Sequence, residues 1–133
     1  MDQMITLLAR AGAWLYTGAL VCLTLGPPSA RPETPIPHDL EHLGAFGLSG
    51  LLISIGYRSR YVFIPLAGVG LSAVLEALQM WVPGRHPRWI DFAMDASGFC
   101  IGVGVGLAMC RLCEQLRARR TRPVRSNRPT APQ

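Results

Sequence analysis

The chain has 133 residues, 50% hydrophobic and 16% charged, with a mean hydropathy of +0.27. Its 13 basic residues are all arginine and give a net charge of +5, but seven of them fall after residue 110, and the rest of the chain is near neutral. These figures exclude a second domain and a basic globular surface, and the four cysteines form no evident disulfide framework.

Four apolar runs follow in order, each near the ~20 residues that carry a helix across a bilayer core. The first, about residues 4–25, is interrupted by Arg10, whose long side chain is expected to snorkel to the interface. It is long for a signal peptide, and Pro28 stands two positions before the small residue Ala30, an arrangement that cleavage sites disfavour. The stretch GPPSARPETPIP then stops any helix. The second run, about residues 39–57, opens on His38-Asp39-Leu40-Glu41-His42. That pentapeptide fits the H-x-x-E-H pattern of a zinc peptidase, yet a chain of apolar runs leaves little soluble polypeptide for a peptidase fold. The stretch is read as a helix start, with Asp39 and Glu41 near its positive end, and no metal or other cofactor is expected.

Tyr57-Arg58-Ser59-Arg60 forms a short charged turn before the third run, about residues 61–82, and Pro83 to Arg88 forms another before the fourth, about residues 91–110. A soluble four-helix bundle needs a polar face on each helix, but Phe63 to Leu75 and Ala96 to Cys110 contain no charge. The predicted fold is therefore all-α, a polytopic membrane protein with a bundle of four transmembrane helices within residues 1–113. Residues 114–133 are predicted to be a basic, disordered tail. Gly98, Gly102 and Gly106 place a smooth strip on one face of the fourth run, while Gly44, Gly47 and Gly50 thin the second. Such strips let helices approach closely in lipid and also offer an oligomer contact. Cys22, Cys100 and Cys110 read as small buried hydrophobes, and Cys110-x-x-Cys113 lacks the second pair that a metal site would need.

Arginine placement sets the orientation. Arg58, Arg60 and the tail share one side, which is predicted to be cytoplasmic together with both termini. Tyr57 and Tyr61 then mark the inner interface, and Trp81 and Trp89 the outer one. With that topology His38, Asp39, Glu41, His42, Glu76, Gln79, Arg85, Asp91 and Asp95 all gather at the outer side. Glu76 is the hardest to explain as a helix cap, because it lies about 9 Å below the end of its run at the helical rise. An ionised carboxylate at that depth costs about 2–3 kcal/mol, so it calls for a partner, and Arg85, His42 and Gln79 are available.

Glu76-Ala-Leu-Gln79, then Val82-Pro83-Gly84-Arg85, then Asp91 opening a helix rich in small residues, resembles the VanZ-like family of bacterial membrane proteins. Glu41-His42-Leu-Gly-Ala45-Phe46 resembles an earlier motif of that family, and the likeness covers about residues 38–107. The family's usual lysine before the histidine is missing. Asp39 stands three residues before His42, where the family's aspartate usually stands four before, and Asp95 replaces an asparagine or a small residue. The resemblance implies a multi-pass protein of the bacterial inner membrane, with His42, Glu76, Gln79, Arg85 and Asp91 carried over, and Asp39 less directly. The family's namesake is associated with low-level teicoplanin resistance, a property that is not transferred to this chain.

Three functions compete. One is a cell-envelope protein that holds an anionic, lipid-linked or glycan ligand at the outer cluster, with Arg85 and Arg88 meeting phosphate or carboxylate. The second is a small membrane-embedded enzyme with Glu76 or Asp91 as acid or base, His42 as its partner and Arg85 as anion stabiliser. The third, proton movement through Glu76, ranks last because no comparable group stands at the cytoplasmic side. The expected partner in every case is the lipid bilayer. A tethered tail without aromatic residues excludes nucleic acid.

Overall fold

A computed structural model describes residues 3–27, 35–84 and 88–121. Every regular element among them is helical. The elements are α1 (Gln3–Leu25), α2 (His38–Gly56), a 3-10 turn (Arg58–Arg60), α3 (Phe63–Gln79) and α4 (Trp89–Thr121). Proline and glycine place the breaks. The Gly26 N–H closes the last turn of α1 onto Cys22 O at 2.8 Å, just before Pro27. Pro37 precedes α2 with φ −53° and ψ 135°, its ring fixing φ near the helical value while ψ stays extended. Pro65 is tolerated because it lies in the first turn of α3, where its missing N–H would have no intrahelical partner. Beyond α3 the chain turns at Gly84, whose φ of 80° suits a residue without Cβ.

The central pair is α2 and α4, which run parallel. Their contact is backbone on backbone at the glycine strip. A Cβ on Gly102 would overlap Gly47 O and lie 2.7 Å from Gly47 C, and one on Gly98 would lie 2.9 Å from Leu43 Cα. Gly50 meets the Phe99 backbone in the same way. Gly44 does not share this role, since nothing stands within 4 Å of its Cβ position. On one flank α1 packs antiparallel to α2. Thr17 and Ser49 hydroxyls bond at 2.7 Å, Tyr16 donates to Ala45 O at 3.1 Å, and Arg10 Nε donates to Gly56 O at 2.9 Å. Arg10 thus satisfies a terminal carbonyl of α2 and holds its guanidinium 4.8 Å from the centre of the Tyr57 ring. On the other flank α3 lies against α4, where Gly68 makes room for the Phe99 ring.

The interior is unusually polar. Among the described residues nine buried side chains are polar or charged and seven are hydrophobic, whereas Leu15, Leu66, Phe63, Trp81 and Trp89 are among many large apolar side chains left exposed. Cys22 and Cys100 are exposed as well, and only Cys110 is buried, so the expectation of three buried cysteines is corrected to one. An apolar outer surface explains the error, because hydropathy then no longer separates inside from outside.

Among the described residues two helical segments are long and apolar enough to cross a membrane, Thr6–Leu25 and Trp89–Arg120. The third apolar helix, Phe63–Gln79, has 17 residues, shorter than the run expected from 61 to 82, because turns at 61–62 and 80–82 take up its ends. The fourth is longer than expected. It continues from 110 through Thr121, eight residues into the segment predicted to be disordered. Leu, Arg, Gln, Glu and Ala there are good helix formers, Glu114 Oε1 accepts from Arg58 Nη1 at 2.7 Å, and Arg119 and Arg120 suit the negative end of the helix dipole.

Candidate functional site

Parallel packing sets α2 and α4 in a register that pairs residues 53 apart. Each helix carries an i, i+4 pair on one face, so His42 meets Asp95 and His38 meets Asp91. The inner pair is tight. His42 Nδ1 and Asp95 Oδ1 are 2.7 Å apart, with side chains 4% and 2% exposed. That is the geometry of a charge-assisted hydrogen bond. The outer pair is looser, with His38 Nε2 3.8 Å from Asp91 Oδ2. The two imidazoles meet edge to face with ring centroids 4.6 Å apart, and His42 in turn stacks toward Phe46.

Asp39 and Glu41 lie in the first turn of α2, whose N-cap is Pro37, so Asp39 does not cap the helix with its side chain. Glu41 Oε2 is 3.9 Å from His38 Nδ1. Arg88, just before α4, places Nη1 3.9 Å from Asp39 Oδ1 and 3.8 Å from Asp91 Oδ1. Both distances exceed hydrogen-bond range, and Asp91 Oδ1 is buried with no hydrogen-bond partner among the described residues.

Glu76 reaches the same end from α3. Its Oε1 accepts the backbone N–H of Arg88, which would otherwise be one of the open donors at the start of α4. Its Oε2 is buried and has no hydrogen-bond partner among the described residues. Gln79, one turn further along α3, is 4% exposed. Arg85, the expected cation beside Glu76, lies outside the described residues. Among those residues, no three His, Cys, Asp or Glu side chains converge in a way that suits a metal ion.

Two clefts flank this polar end. One, of about 410 Å³, lies between α3 and the start of α4 and is lined by Ala73, Glu76, Ala77, Met80, Arg88 and Phe92. Residues 73, 76, 77 and 80 follow the i, i+3, i+4, i+7 pattern of one helix face. The other, of about 440 Å³, lies between α1 and α2, where Tyr16, Thr24, Glu41 and His42 supply the polar groups of an otherwise apolar wall.

The structure therefore brings Asp39, His42, Glu76, Asp91 and Asp95 to one end of the bundle, with Gln79 buried nearby. It corrects two details. His42 turns to Asp95 rather than to Glu76 and Asp91, and His38, which is not among the residues carried over from the family motif, stands within the cluster. The signal for His38 was present in the sequence as two i, i+4 pairs, one of histidines and one of aspartates, awaiting a parallel register. No protein-family model, curated protein or solved structure matches the chain.

Proposed function

We propose that this chain is a VanZ-like, multi-pass protein of the bacterial inner membrane that binds a lipid-linked or glycan-bearing anionic ligand at its extracytoplasmic end. All four helices cross the bilayer, both termini are cytoplasmic, and the starts of α2 and α4 face outward. The observation that carries the reading is the cleft between α3 and α4, apolar along Ala73, Ala77, Met80 and Phe92 and polar where Glu76 and Arg88 meet. An apolar chain fits the wall and a polar head fits the end. A polar interior within an apolar exterior supports the membrane setting, since small and polar side chains join helices in lipid. The arginine guanidinium, with its forked donors, suits phosphate or carboxylate.

Two measurements test this. A reporter fused into the turn at residues 83–90 is expected to be active only outside the cytoplasm; cytoplasmic activity overturns the topology. Lipid phosphorus that copurifies with the full chain in mild detergent is expected to fall with Arg88→Ala, and unchanged phosphorus counts against the binding reading.

The buried His42–Asp95 pair at 2.7 Å favours a second reading, a membrane-embedded enzyme in which Asp95 orients His42 and Glu76 or Asp91 completes an acid–base set. Retention of the cellular phenotype by both Glu76→Gln and Asp91→Asn, at normal membrane levels, removes it.

A further inference from the structure

The outer end of the bundle is rich in carboxylates. Among the described residues Asp39, Glu41, Glu76, Asp91 and Asp95 stand there against one arginine, Arg88, and the two histidines. A purely anionic head group would lie in the field of five carboxylates and one guanidinium. Two of those carboxylates also have oxygens in need of a donor. Glu76 Oε2 and Asp91 Oδ1 are both buried without a hydrogen-bond partner, and Asp91 as a whole is 5% exposed. Such atoms carry the full cost of desolvation until a donor arrives. Glu76 lies within electrostatic reach of Asp91, Asp95 and His42, so a cation near one of these groups is felt by all.

Arg88 offers the complement. Its carboxylate neighbours at 3.8 and 3.9 Å are past hydrogen-bond distance, and its side chain is 54% exposed. The cleft below it is walled by Ala73, Ala77, Met80 and Phe92. It opens beside Met80 and Trp89, which are 60% and 88% exposed on the bundle surface.

From this we infer that the α3–α4 cleft takes a phospholipid of the surrounding bilayer whose head carries a primary amine, with an acyl chain along the Ala73–Met80 wall, the phosphate at Arg88 and the ammonium at Glu76 and Asp91. The inference rests on the lipid-binding reading of this cleft and narrows its head group from an anion to a phosphate paired with an ammonium. A primary ammonium supplies both positive charge and N–H donors. A quaternary ammonium has the charge but no donor, and a glycerol head has donors but no positive charge.

Delipidated full-length protein in detergent, titrated with chain-matched phosphatidylethanolamine, phosphatidylcholine and phosphatidylglycerol and read by native mass spectrometry, separates these cases. Phosphatidylethanolamine is expected to bind about tenfold more tightly than phosphatidylcholine, the worth of a hydrogen bond to a charged group. Glu76→Gln keeps an oxygen for the Arg88 N–H and is expected to abolish that preference; Asp91→Asn, on a different helix, is expected to reduce it. Arg88→Ala should weaken all three lipids alike. Equal binding of the amine and choline lipids, or a preference untouched by Glu76→Gln, overturns the inference. Arg88-dependent binding led by phosphatidylglycerol overturns it while leaving the lipid-binding reading standing. If none of the three lipids binds and Arg88→Ala changes nothing, both fall.

Discussion

Gly102→Ala adds one methyl group where α2 and α4 touch through their backbones. The new Cβ would overlap Gly47 O and lie 2.7 Å from Gly47 C, whereas ordinary contact begins at 3.4 Å. Neither partner is a side chain that can rotate away, so the helices must part by at least 0.7 Å. A gap of that size forfeits about a quarter to a half of the dispersion attraction across the contact. Overpacking of this kind costs about 1–3 kcal/mol. Gly104 is the control. It lies on the same helix two residues away, nothing stands within 4 Å of its Cβ position, and alanine there should gain about 0.5–1 kcal/mol from helix propensity alone. Thermal unfolding of the two variants in the same detergent, followed by loss of the monodisperse peak in size-exclusion chromatography, gives the comparison. Gly102→Ala is expected to melt below the parent and Gly104→Ala at or above it. Equal midpoints for the two would refute the backbone contact between α2 and α4.

The His42–Asp95 pair should behave as a buried hydrogen-bonded pair. Either His42→Ala or Asp95→Ala alone removes the 2.7 Å partner of a buried polar group, at a cost of about 1–3 kcal/mol. The double replacement His42→Phe with Asp95→Leu is expected to recover much of that loss, and a double-mutant cycle on detergent unfolding reads the coupling. Arg58–Glu114 is the counterexample at the other end, with side chains 31% and 64% exposed. Glu114→Ala should cost at most about 1 kcal/mol, and the difference should vanish at high salt.

Local chemistry made most of the helices legible. A proline-rich break precedes α2, the charged Tyr57–Arg60 turn follows it, and Pro83-Gly84 fixes the turn after α3, so their positions follow from residues close in sequence. The glycine strip on α4 was legible too, because a spacing of four residues puts Gly98, Gly102 and Gly106 on one face. Which glycines of α2 receive that strip was not, since Gly44 and Gly47 differ only in how the helix is turned toward its neighbour. The end of α4 was misread for a related reason. Arginine-rich sequence after residue 113 looks like a solvated tail, yet the same residues are good helix formers, and the contact that anchors them comes from Arg58, 56 positions earlier. His38 was placed at the outer side but left out of the site, because a motif compares residues along one chain segment, whereas Asp91, 3.8 Å from it, belongs to another helix.

Packing and chemistry share one cause in this bundle. Glycines let α2 and α4 lie against each other without intervening side chains. The same parallel register sets His42 opposite Asp95 and His38 opposite Asp91. Helices held further apart by larger side chains would leave the short imidazole–carboxylate pair unable to close to 2.7 Å. The third helix adds Glu76, one of whose oxygens secures the start of α4 while the other has no donor among the described residues. The two carboxylates with such an oxygen, Glu76 and Asp91, therefore sit beside the Arg88 end of the cleft rather than at the sealed His42–Asp95 pair. The sealed pair holds the geometry, and the unsatisfied oxygens beside it are where a ligand donor would be recognised.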